Sequence, residues 1–163
     1  MGYLNTSGSH ELNYEQAKEK ALRLLEFRSH SEQELRMKLK RAGARDEDIG
    51  EILDFCRNYG FVNDREYALR KARDLKNLKK YGKRRIYAEL KHRGISEEDA
   101  AIAVSELEDD EEDTLYPLAE KKLNGNFERK NIDKCIRYFI SRGYEIGDIK
   151  RCIERIKGEW NGM

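Results

Sequence analysis

One proline, Pro117, stands in a chain of 163 residues. Period-two alternation of apolar and polar residues is almost as scarce. Strands therefore have little support, and helices have few interior breakers. No apolar run approaches the roughly 20 residues of a membrane-spanning helix. The opening stretch MGYLNTSGSHELN has neither the basic nor the apolar region of a secretory signal, and residues 1–13 read as a flexible tail. The three cysteines, Cys56, Cys135 and Cys152, form no CxxC and have no histidine at metal-ligand spacing. An odd number without close pairs points to reduced thiols in the cytoplasm. There is no phosphate-binding GxxxxGK loop, no HExxH, and no GxGxxG after a strand. His10, His30 and His92 have no nucleophile or acid partner close in sequence. The expectation is a protein that is not an enzyme, holds no cofactor or metal, and enters no membrane.

What is present is charge and helical period. Charged residues make up 40% of the chain and hydrophobic ones 38%, too apolar for simple disorder and too charged for one thick core. Three phrases look alike: LRMKLKRAG ending at Gly43, IYAELKHRG ending at Gly94 and CIRYFISRG ending at Gly143, with the glycines 51 and 49 residues apart. Four residues before each glycine stand Leu39, Leu90 and Phe139, and eight before stand Leu35, Ile86 and Cys135. Ten after stand Leu53, Val104 and Ile153, and thirteen after stand Cys56, Leu107 and Ile156. Apolar positions at this spacing on both sides of a glycine predict helix, glycine stop, helix. A further amphipathic segment precedes each pair, over 14–27, 64–75 and 114–123. The expected fold is all-α, with nine helices in three tandem three-helix repeats forming an elongated, curved molecule. The expected boundaries are 1–13 (tail), 14–60, 61–108, 109–158 and 159–163 (C-terminal tail). Ser31 with Glu34 predicts a capping box, and Asn63 a cap for the helix from Asp64. Pro117 is expected in the first turn of its helix. Cys135 and Cys152 fall on apolar positions of the repeat, which predicts buried, inert thiols.

The net charge is only +1, yet it is segregated. From Phe61 to Ile95 there are twelve basic and four acidic residues, and from Ser96 to Asp113 ten acids and no base. The acidic stretch reads as a solvated segment whose carboxylates favour the next helix N-terminus. On a helix starting near Gly82, with Ile86 and Leu90 inward, Lys83, Arg84, Tyr87 and Lys91 share about a third of the circumference. Arg70 and Arg73, on the preceding helix, extend the patch. A solvated helix face is the ordinary reading of such a run. The same geometry suits phosphates, with a ring for stacking, or an acidic protein surface.

Three further motifs stand out. An arginine followed by Ser-x-x-Glu-Leu and a Lys-Leu pair falls on Arg28, Ser31, Glu34, Leu35, Lys38 and Leu39. Asp-x-x-x-Ala falls on Asp64 and Ala68. A glycine, a basic residue and Leu-x-x-x-Gly-Ile fall on Gly82, Arg85, Leu90, Gly94 and Ile95. Together they resemble the RecX family; the resemblance runs from about Tyr14 to Gly158 and is strongest over the first two repeats. Family members often carry a proline where this chain has Lys83. The resemblance implies a non-catalytic, monomeric modulator of the RecA recombinase. Such a protein lies in the groove of the RecA–single-stranded-DNA filament and depresses ATP hydrolysis, strand exchange and self-cleavage of the SOS repressor. The alternative is a helical repeat protein that binds DNA directly, weakly or otherwise, without RecA. In either case Lys83, Arg84, Tyr87, Lys91, Arg70 and Arg73 are the expected contacts.

Overall fold

In the computed structural model, which describes residues 11–163, every repeated phrase ends a helix at its glycine. Among the described residues there are nine α-helices and no strand. They are α1 (Tyr14–Phe27), α2 (Glu32–Arg41), α3 (Asp46–Asn58), α4 (Asp64–Lys79), α5 (Lys83–His92), α6 (Glu97–Ser105), α7 (Glu111–Leu123), α8 (Arg129–Ser141) and α9 (Ile146–Asn161). The all-α repeat fold is as expected. Residues 1–10 of the expected tail lie outside the described residues, and the tail's last residue, Asn13, is the cap of α1.

Gly43, Gly94 and Gly143 have φ of 97°, 84° and 100°, the left-handed region that a side chain strains. After α2, Gly43 N–H donates to Lys40 O (3.1 Å) and Ala44 N–H to Leu39 O (3.0 Å). After α8, Gly143 N–H donates to Ile140 O and Tyr144 N–H to Phe139 O (both 3.0 Å). Both are Schellman ends. Each has its apolar clasp, Ala44 with Leu39 and Tyr144 with Phe139, whose rings meet edge-on at 6.0 Å.

The chain divides into two compact units. Unit 1 runs to Tyr67 and includes Arg93–Ser96; unit 2 comprises Ala68–His92 and Glu97–Met163. In unit 1, α1, α2 and α3 pack on one another around Ala17, Ala21, Leu35, Leu39, Ile52, Leu53 and Cys56. In unit 2, α7, α8 and α9 do the same around Leu115, Ala119, Cys135, Phe139, Ile149 and Ile153. Of the twelve repeated apolar positions, only Val104 is not buried; its neighbour Ala103 takes the inward position.

Three boundaries differ from expectation. α4 continues past residue 75 to Lys79, α7 begins at Glu111 rather than residue 114, and α9 runs to Asn161, into the expected C-terminal tail of 159–163. Glu111, Glu112 and Asp113 fill the first turn of α7, where negative charge meets the positive helix end. Pro117 is therefore inside the helix, not in its first turn, and Asp113 O receives no N–H from it.

Candidate functional site

The basic helix α5 starts against the turn between α8 and α9. Gly82 N–H donates to Arg142 O (2.9 Å) and Arg84 N–H to Gly143 O (3.2 Å). The N–H between them, on Lys83, donates to the Glu111 carboxylate (2.6 Å). Three donors that a helix N-terminus ordinarily leaves open are thus satisfied. The approach requires glycine on both sides. A Cβ on Gly82 would fall inside van der Waals contact of Gly143 O, and one on Gly143 would strike Arg85. The Tyr81 ring lies 4.8 Å from the Arg85 guanidinium and 4.6 Å from that of Arg142. Tyr144 OH donates to Lys80 O (2.7 Å), and burial pushes that phenol up to about 12. Burial also raises the Glu111 carboxyl above its ordinary value, only partly offset by the Lys83 N–H.

The six residues expected to form a contact face differ in their circumstances. Lys91 and Arg73 are exposed and have no carboxylate partner among the described residues. Arg70 is exposed on α4, and Tyr87 is half-buried on α5. Lys83 and Arg84 each meet a carboxylate. The Lys83 ammonium lies 3.5 Å from Asp109, and its side chain is one-third exposed. Arg84 pairs with Glu145. Lys76 pairs with Asp110 and donates to Glu108 O (2.9 Å). The acids after Ser105 are therefore not only a solvated stretch. Three of them, Asp109, Asp110 and Glu111, neutralise or cap the basic stretch. Arg85 pairs with Glu89 one turn on, at 3.0 Å.

Sequence reading missed one group of unanswered positive charges. An open cleft of about 460 Å³ in unit 2 is lined by Lys79, Lys80, Lys121, Lys122 and Arg142, with Leu118, Tyr138 and Phe139, and no carboxylate. Its cations come from the end of α4, the last turn of α7 and the end of α8. No window of sequence contains them all; the KK doublets at 79–80 and 121–122 were the only signal.

In unit 1 the start of α2 meets Arg93 and Gly94. Ser31 Oγ accepts from Glu34 N–H (3.1 Å) and donates to Arg93 O (2.6 Å). The expected capping box is only half formed, because the Glu34 carboxylate is engaged elsewhere. Tyr67 OH (2.6 Å), Arg28 (3.1 Å) and Arg93 (3.4 Å) all donate to it. Burial alone would raise the Glu34 carboxyl, but those hydrogen bonds and charges outweigh it and hold it below its ordinary value. A complete capping box forms instead at α1, between Asn13 and Gln16. Asn63 caps α4 as expected, accepting from Glu66 N–H (3.2 Å). His30, 2% exposed, donates from Nδ1 to Arg28 O (2.9 Å) and accepts at Nε2 from Lys38 (2.8 Å). Burial lowers its pKa, and these partners require the neutral ring. Cys56, Cys135 and Cys152 are buried free thiols. Burial raises all three, Cys152 to about 11.

The fold and these surfaces define an all-α repeat protein with segregated charge. No helix among the described residues is long and apolar enough to cross a membrane. The sequence matches the RecX first three-helix domain over residues 17–56 and the RecX second three-helix domain over residues 63–104. It is 32% identical over 146 residues to the regulatory protein RecX of Clostridium perfringens, covering 85% of this chain and 68% of that one. Against the regulatory protein RecX of Salmonella paratyphi C the identity is 32% over 152 residues, covering 85% and 90%. The chain belongs to the RecX family of regulatory proteins. The crystal structure of RecX from Lactobacillus salivarius shares the fold, with a TM-score of 0.79 at 22% identity, over 88% of this chain and 96% of that one. A second crystal structure of regulatory protein RecX gives 0.76 at 21% identity, over 86% and 73%.

Proposed function

We propose that this chain is a non-catalytic regulator of RecA that binds in the groove of the RecA–single-stranded-DNA filament. There it depresses ATP hydrolysis, strand exchange and the filament's coprotease activity. It acts as a cytoplasmic monomer, without a cofactor and away from membranes. Its working parts are the repeats 14–60, 61–108 and 109–158, and the second carries a filament contact at Lys83, Arg84, Tyr87 and Lys91, with Arg70 and Arg73 beside it. The observation that carries this reading is family membership across 85% of the chain. Segregated charge supports it, since a composite partner of protein and DNA offers both carboxylates and phosphates.

The test is RecA ATP hydrolysis on single-stranded DNA, titrated with this chain. Dose-dependent inhibition is expected, and unchanged hydrolysis would overturn the reading. The contact face is tested by replacing Lys83, Arg84 and Lys91 with glutamine. Glutamate is unsuitable at the first two positions, where it would stand against Asp109 and Glu145. A folded triple variant that inhibits as well as the parent would show that the α5 face is only solvated.

A further inference from the structure

We propose that the cleft framed by Lys79, Lys80, Lys121, Lys122 and Arg142 binds the phosphodiester backbone of a single-stranded nucleic acid. The proposal deepens the reading above, on which it rests for the partner's identity, by assigning a place to the nucleic-acid half of the filament. The first argument is charge. On α5 the cations Lys83, Arg84 and Arg85 are each answered by a carboxylate. None of the four cleft lysines has a carboxylate partner among the described residues, and no acid lines the cleft. Like charges gathered without counter-charge repel one another. A polyanion that releases condensed counterions is the ligand class that removes that cost.

The second argument is backbone conformation. Lys80 has φ of 57°, one of two non-glycine residues with positive φ among those described. It ends α4, with its N–H on Lys76 O (3.1 Å). The turns at Gly43, Gly60, Gly94 and Gly143 place glycine in this region of conformational space. A lysine there carries backbone strain that a glycine does not. The strain is retained at a position whose side chain lines the cleft, as strained residues at binding sites commonly are.

The third argument is the mixture of cations and ring. Four of the five cations are lysines, point charges that neutralise an anion without the fixed two-pronged geometry of arginine. The one arginine is committed, donating to Lys79 O (2.6 Å) and lying against the Tyr81 ring. Tyr138, 40% exposed, stands among the cations, with Lys122 Nζ 4.0 Å and the Arg142 guanidinium 5.9 Å from its centroid. Leu118 and Phe139 add apolar lining. Cations interleaved with an aromatic ring and apolar surface are what single-strand grooves use, whereas an acidic peptide has no use for the ring.

The experiment measures binding of a fluorescent oligodeoxythymidine to the full chain, without recombinase, over a salt series. The variants are Lys80→Gly alone and the set Lys79→Gln, Lys80→Gly, Lys121→Gln and Lys122→Gln; circular dichroism and melting report folding. Lys80→Gly is expected to melt at or above the parent temperature and to bind more weakly, so a folded variant is available even if the set does not fold. The set is expected to bind about tenfold or more weakly, and its salt slope should fall by about 0.7 for each phosphate it no longer neutralises. Unchanged affinity and slope in the folded variants would overturn the proposal. So would absence of binding by the parent at low salt, or polyglutamate displacing the oligonucleotide at equal charge, which would assign the cleft to an acidic protein. RecA inhibition is read in parallel. A variant that no longer binds the oligonucleotide but still inhibits upholds the cleft and leaves the regulatory reading standing; a parent that binds the oligonucleotide without inhibiting upholds the cleft alone.

Discussion

The starts of α2 and α5 solve the same problem with different chemistry. Each is the N-terminus of a helix that carries a repeated phrase, and each meets the glycine turn that ends another such phrase. At α2 the joint is made by side chains: Ser31 bridges Glu34 N–H and Arg93 O, and Glu34 gathers Tyr67, Arg28 and Arg93. At α5 it is made by main chain, with Gly82 and Arg84 donating to Arg142 and Gly143 and one carboxylate, Glu111, covering the donor between them. A side-chain joint tolerates some displacement but depends on every polar member being satisfied. A main-chain joint depends on the absence of a side chain, so glycine is needed on both sides of it.

The largest expected effect is on the main-chain joint. Gly143→Ala adds a left-handed strain of about 1–2 kcal/mol to an overpacking cost of about 1–3 kcal/mol. Urea unfolding should show unit 2 destabilised by roughly that sum. Gly94→Ala carries the same strain and a close approach of its own, to Gln33 Cβ, an atom no freer to move than backbone. A loss of similar size is expected there, and a much smaller one would show that the side-chain joint can yield.

Next in size is Glu34→Ala, which leaves Tyr67 OH and Arg93 without their shared acceptor in a partly buried site. The expected loss is about 1–3 kcal/mol, read as a lower unfolding midpoint with an unchanged slope. Tyr67→Phe, which removes one donor and leaves the acceptor with two others, should cost less.

A change of pH should move the two joints in opposite directions. His30 has a folded pKa below its ordinary 6.5, so the unfolded chain binds the extra proton first. Its contribution is complete above about 6.5 and is lost as pH falls toward the folded value. Glu34, also lowered, adds a loss in the same direction below its ordinary 4.5. Glu111 is raised above 4.5, so the folded chain binds its proton first, and its contribution falls as pH rises from 4.5 through the folded value. Amide exchange at α2 and α5 between pH 4 and 7 separates the two trends. Glu111→Gln should abolish the second trend and leave the first.

The smallest effect belongs to Lys83→Pro, which installs the residue that family members often carry. Lys83 is the first residue of α5, where proline is well tolerated. What disappears is the Glu111 hydrogen bond and the Asp109 pair, worth about 1 kcal/mol or less. A loss of several kcal/mol would mean that the carboxylate, rather than the glycines, carries the joint.

Most of the secondary structure was legible because helices are local. The positions four and eight residues before each glycine are all buried, and all three glycines are left-handed. The misreadings also have local causes. The acidic run concealed a helix start at Glu111, and so placed Pro117 a turn too early. The S-x-x-E pattern predicted a reciprocal cap without showing that Glu34 had three other donors. Of the candidate surface, the excess positive charge between Phe61 and Ile95 was legible; which of its cations meet a carboxylate was not.

By itself the sequence determined the all-α repeat, the inward apolar stripes, the glycine stops and the burial of Cys135 and Cys152. Each follows from a helical period read within a single stretch of chain. Tertiary structure alone decided which cations remain unpaired. Lys83 and Glu111 are 28 residues apart, and Lys79 and Lys122 belong to different helices. Whether a charge is neutralised depends on what folding brings within a few ångströms of it, and composition carries no record of that distance.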